Sequence, residues 1–168
     1  SVAITDFIQM IILVVGLAVL AVFAGNQAGG ADKVLALAVS QDMFKFWPEP
    51  NFKDILFFFA GAITIMLGSI PQQDVFQRVM SANSEYAATR GPVIGGVFYI
   101  LFAFVPMFLV VSAMIIMPEQ ATALIKDDPQ KVLPVLVMTQ MPFIMQVLFF
   151  GALLSAIKSC ASATLLAP

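Results

Sequence analysis

Histidine is absent from these 168 residues, cysteine occurs once, and charged residues make up only 11% of the chain. Without histidine, and with no nucleophile–base pair, metal-ligand spacing or phosphate-cradling glycine loop in the sequence, an enzyme reading has almost no support. The single Cys160 excludes an internal disulfide. A net charge of −2 excludes the basic surface that nucleic acid requires, so no nucleic-acid partner is expected. What fills the chain instead is apolar: 61% of residues are hydrophobic and the mean hydropathy is +0.99, well outside the range of soluble domains. The composition is that of an integral membrane protein. The first residue is Ser and the last a Pro closing an apolar run, which reads as an internal piece of a longer protein.

Four apolar runs organise the sequence into an all-α, polytopic membrane protein. Residues 3–25 are long enough to span a hydrocarbon core of about 30 Å, and no positive segment precedes them to suggest a signal peptide. Residues 26–52 read as a polar extracellular loop in which Phe44, Phe46 and Trp47 form an interfacial aromatic anchor. Residues 53–70 form a shorter second run that breaks near 68–71, and 72–91 read as a cytoplasmic turn. Residues 92–117 form the third span. Asp128 followed by Pro129 marks a helix start, giving a short surface helix over 128–140. The fourth span is 142–168. All four must be helices, because backbone polar groups in a bilayer have to be satisfied within the segment. The positive-inside rule barely separates the loops, with only a mild preference for a cytoplasmic 72–91.

Two places in these runs resist a purely structural reading. Lys158 is the sole charge in 142–168, and a charge at bilayer depth costs about 3 kcal/mol or more. Three roles compete for it. Its ammonium replaces a coupling cation, giving proton-coupled or uncoupled transport; or it meets an anionic group of the substrate or an acid on another helix; or it snorkels to water along its stem. The second place is Gly68-Ser69-Ile70-Pro71, which either opens a broken helix that binds substrate or ions or simply ends a helix before a surface segment.

The residues around that break resemble a family. The stretch Gly68-Ser69-Ile70-Pro71-Gln72-Gln73-Asp74-Val75-Phe76-Gln77-Arg78 is similar to the signature of sodium/solute symporters, whose broken helix ends in a Gln-Arg pair. Thr5-Asp6-Phe7-Ile8-Gln9 resembles that family's Thr-Asp-x-x-Gln entry to a helix. Ser155-Ala156-Ile157-Lys158-Ser159-Cys160 resembles its Ala-Ala-x-x-Ser-Ser/Thr sodium motif. Three motifs in order cover nearly the whole chain, with the choline- and proline-transporting members most alike.

The resemblance implies core helices five to eight of a leucine-transporter-type inverted-repeat fold, completed by further helices of the same transporter in a multi-pass plasma (inner) membrane protein. It implies alternating-access transport of a small polar organic solute. Ala156 (through its carbonyl), Ser159 and Cys160 would hold the ion, with Asp6 on its cytoplasmic exit path, although Asp6 is equally explained as a carboxylate favoured by the helix dipole. Ile65, Ser69, Gln72 and Gln73 would border the substrate cavity. No cofactor is implied beyond Na+ or H+ as coupling ion. The chain departs from the pattern at two points: a thiol at Cys160 is a poor ligand for a hard cation, and Lys158 puts a positive charge beside it. Gly68 stands where sugar-carrying members have a gating Tyr, and Gln72 replaces a Trp of the choline carrier, which disfavours sugars and quaternary ammonium. A transporter-like sensory input module remains the alternative of another class. Phe57, Phe58, Phe59, Phe149 and Phe150 read as lipid-facing or packing residues, and Ser162 as bonding back to its own helix.

Overall fold

The structure, a computed structural model, describes residues 2–69, 76 and 79–166. It is helical throughout, with no strand among the described residues: α1 Val2–Gln27, α2 Ala31–Ser40, α3 Phe52–Ser69, α4 Glu85–Ile116, α5 Pro118–Asp127, a 3-10 turn Pro129–Lys131, α6 Val132–Gln140 and α7 Phe143–Leu166. Three of the helices are long and apolar enough to cross a membrane, over Ile4–Gln27, Glu85–Ile116 and Phe143–Ser162. Their outer faces carry exposed Phe7, Ile11, Val15, Val97, Ile100, Leu148 and Leu154. In water such a surface would aggregate; in a bilayer it is the solvated face.

Helix α1 packs on both α4 and α7, running antiparallel to α7, so that these three form the frame. Among the described residues the tightly packed part lies at one end. Leu20 and Ala24 of α1 meet Leu109 and Ala113 of α4, with Met117, Ala121 of α5, Val132, Leu136 and Val137 of α6 and Phe149 of α7 closing over them. Ala24, Ala113 and Ala121 have no exposed surface. Small side chains let helix backbones approach closely where dispersion, not water, drives association. Gly25 belongs to the same seam, since a Cβ there would come 3.1 Å from Phe108 Cζ. Polar contacts lock this end: Gln27 Nε2 donates to the Gln140 carbonyl at 3.2 Å, and Gln146 Nε2 donates to the Met138 and Met141 carbonyls at 3.1 and 2.9 Å. The last two satisfy groups that α6 leaves open at its C-terminus.

Several boundaries differ from the sequence reading for local reasons. The segment 26–52, read as a loop, holds α2, whose Val34 and Ala38 are buried against Val111 of α4. Gly29 and Gly30, at φ 92° and 109°, turn the chain out of α1 and into it, a backbone conformation that glycine adopts without steric cost. The third span begins at Glu85 rather than 92, because Ser84 Oγ caps it by accepting from the Ala87 amide at 3.2 Å. Pro92 and Pro106 therefore sit inside α4, which membrane helices tolerate. Asp128 does cap the 3-10 turn, accepting from the Gln130 amide at 3.2 Å. The helix beyond that turn is not a surface element, since Val132, Leu136 and Val137 are fully buried. Among the described residues, helix α3 contributes none to either packed cluster; the Phe58 ring lies 6.2 Å from that of Trp47 in the preceding loop.

Candidate functional site

Several polar side chains of the apolar helices are consumed locally. Thr64 Oγ1 donates to the Ala60 carbonyl at 2.7 Å and Ser112 Oγ to that of Phe108 at 2.8 Å, each one turn back along its own helix. Ser159 behaves differently. Its hydroxyl donates across the α1–α7 seam to the carboxylate of Asp6, 153 positions away in the chain. Asp6 lies near the start of α1 and Ser159 near the end of α7, so the antiparallel packing brings together two residues that the sequence placed in separate motifs. Both are half-buried, as is Gln9, one turn beyond Asp6.

The rest of the sodium-like motif lies around this contact. Ala156 is half-buried one turn before Ser159. In an unbroken helix its carbonyl accepts the amide four residues on, which leaves its second lone pair for another partner. Cys160 is exposed on α7. Lys158 is exposed as well, and no ion pair joins it to Asp6 among the described residues. The helix itself explains the separation, since adjacent residues point about 100° apart. With Ser159 aimed at α1, the Lys158 stem leaves the seam.

A carboxylate, a hydroxyl and a backbone carbonyl are hard oxygen donors, the chemistry that alkali cations select. Three such groups are fewer than the oxygen ligands that a hard cation takes. Among the described residues no group of three or more His, Cys, Asp or Glu is placed to hold a metal ion.

Of the expected substrate residues, only Ile65 and Ser69 are among the described ones. Ile65 lies on α3 at 73% exposure. Ser69 closes that helix, and Gln72, Gln73 and the Gln77-Arg78 pair lie outside the described residues. Ser162, read as bonding back to its own helix, makes no hydrogen bond among the described residues. The pairing of Asp6 with Ser159 had no signal in the chain beyond the motifs that contain them.

Helices that expose apolar faces along their length, with a polar contact held in the seam between two of them, define a multi-span helical membrane protein. The comparison with known families is specific: the model of the sodium:solute symporter family matches residues 1–168, and the chain belongs to that family. It is a family of transporters rather than enzymes, whose activity is sodium-linked symport of solutes across a membrane. No curated protein and no solved structure matched the chain.

Proposed function

We propose that the protein carries out secondary active transport of a small polar organic solute by alternating access, as a multi-pass plasma-membrane carrier. In this reading the four apolar runs are core helices five to eight of an inverted-repeat fold, and α3 is the second of the four spans. The observation that carries it is the hydrogen bond from Ser159 to Asp6, which joins two of the family-like motifs at one helix seam. Asp6, Ser159 and the Ala156 carbonyl attract and pass the coupling cation there. Ile65, Ser69, Gln72 and Gln73 border the solute.

Two features of this chain modify the coupling. The Cys160 thiol replaces a hydroxyl and weakens the site for a hard ion. Lys158 adds a fixed positive charge one residue from Ser159, and like charges repel strongly where the dielectric is low. Sodium occupancy in the absence of solute is therefore low.

Solute-independent sodium binding to the full-length protein tests this, comparing the wild type with Lys158→Ala and Cys160→Ser. Weak binding in the wild type that strengthens in both variants supports altered coupling. Tight binding in the wild type, lost in Ser159→Ala, means that the ordinary sodium site persists and Lys158 has no part in it. Tight binding unaffected by Ser159→Ala would remove α7 from the cation path.

A further inference from the structure

The membrane-spanning parts of α1 and α7 contain one charge each, Asp6 and Lys158. They lie on neighbouring helices, Asp6 within the contact to Ser159 and Lys158 one residue from it, and they have opposite signs. Had Lys158 evolved only to neutralise Asp6, the two would form an ion pair, because their attraction is large in a medium from which water is excluded. Instead Asp6 accepts from Ser159, and Lys158 is exposed and points away from the seam. Its charge has no counter-ion among the described residues.

The surroundings of Lys158 on its own helix are specific. Ser155 and Ser162 stand three before and four after it, the spacings that place side chains on one helical face. With Ser159 they fall within an arc of about 100°. Ser155 and Ser162 are half-buried, and neither makes a hydrogen bond among the described residues, although helical serines usually bond back one turn. An ammonium flanked by two unengaged hydroxyls gathers several donors and lacks an anionic partner among the described residues. The ligand that such a group takes is a compact anion with several acceptor lone pairs, and in an organic solute that is a carboxylate.

We infer that Lys158, with the hydroxyl of Ser155 or of Ser162 beside it, binds the carboxylate of an anionic organic solute, so that the solute itself supplies the missing counter-charge. This rests on the transport reading above and sharpens it. When the site is empty, the charge on Lys158 disfavours a cation at Ala156 and Ser159. A bound carboxylate cancels that charge, and the cation site becomes favourable. By linkage the cation must strengthen carboxylate binding by the same factor. Sodium and solute are thereby coupled through charge balance.

The test uses the purified full-length protein in detergent, with potassium acetate and potassium lactate as probes and acetamide and lactamide as their neutral counterparts. Thermal midpoints are recorded against probe concentration for wild type, Lys158→Met and Lys158→Arg. Expected is a saturable rise with the carboxylates and not with the amides, shifted at least about tenfold to higher concentration in Lys158→Met, the size of one charge-assisted hydrogen bond, and largely retained in Lys158→Arg. Sodium should lower the carboxylate midpoint in wild type but not in Lys158→Met. No response to either carboxylate, equal responses to amides, or an unchanged response in Lys158→Met overturns the inference. Sodium binding measured in parallel separates the two readings. If it persists without a carboxylate response, the anion site fails and the symport reading stands. If a Lys158-dependent carboxylate response occurs without sodium binding, the anion site stands and the cation path through Ser159 fails.

Discussion

Ser159 gives its hydroxyl to Asp6 on a neighbouring helix, whereas Ser112, a serine on α4 with no exposed surface, spends its hydroxyl on the Phe108 carbonyl of its own helix. The difference is one of opportunity. A helical serine bonds back one turn unless a better acceptor faces it, and a carboxylate accepts about twice as strongly as a neutral oxygen. The contact therefore reflects the α1–α7 packing as well as the chemistry of Asp6.

Removing only the charge of Asp6 should separate its two roles. Asp6→Asn keeps an acceptor for Ser159, so thermal stability in detergent should change little. Sodium affinity should fall by about tenfold or more, as expected for losing a charged acceptor. Asp6→Ala should add only about 1 kcal/mol of destabilisation, because Ser159 can turn back to its own helix. Equal sodium binding in all three proteins would remove Asp6 from the cation path.

At the other end of α1, Gly25 faces Phe108 so closely that an added methyl would lie 3.1 and 3.2 Å from two of its ring carbons. Gly25→Ala gains about 1 kcal/mol of helix propensity and loses a comparable amount by displacing the ring, leaving the thermal midpoint nearly unchanged. Gly25→Leu cannot be accommodated and should cost about 3 kcal/mol. The same pair of changes at Gly16, where nothing lies within 4 Å, should be tolerated in both forms.

The asymmetry of packing predicts an asymmetry of mutational cost. Leu136→Ala, at a position with no exposure, should destabilise by about 2–5 kcal/mol. Val97→Ala, at 55% exposure on α4, should change unfolding in detergent by less than about 0.5 kcal/mol. Gln146→Leu should fall between them, at about 1–3 kcal/mol, since it leaves the Met138 and Met141 carbonyls without their donor. Comparable losses at Val97 and Leu136 would mean that the packed end is not the stable part.

In the loop before α3, Lys45 donates to Glu49. The hydrogen bond and the neighbouring charge raise the Lys45 pKa above its usual 10.5 and lower that of Glu49 below its usual 4.5. The folded pKa of Glu49 is depressed, so its contribution is present above 4.5 and is lost as pH falls through the folded value. That of Lys45 is raised, so its contribution is present below 10.5 and is lost as pH rises through the folded value. Both side chains are more than half exposed, and salt should erase the effect. Side-chain NMR titration of wild type and Glu49→Gln should show the Lys45 shift at low salt, its loss in the variant, and its loss at about 1 M salt.

Much of this molecule is legible in the sequence alone, because hydropathy is a local property. The runs around 3–25, 92–117 and 142–168 have to be helices in a bilayer whatever surrounds them, and the motifs containing Asp6, Gln77-Arg78 and Ser159 carry the family resemblance in chain order. The Asp128 cap was equally legible, since a capping side chain acts within a few residues. Tertiary structure decided the rest. That α2 is a packed helix and α6 a buried one depends on what Val34, Ala38, Leu136 and Val137 press against, and an apolar residue reads the same in either setting. That Asp6 meets Ser159 and not Lys158 turns on the rotation of α7 about its axis, where one residue is worth about 100°. No local pattern encodes that angle. It is set by Leu20, Ala24 and Phe149 packing at the opposite end of the same two helices.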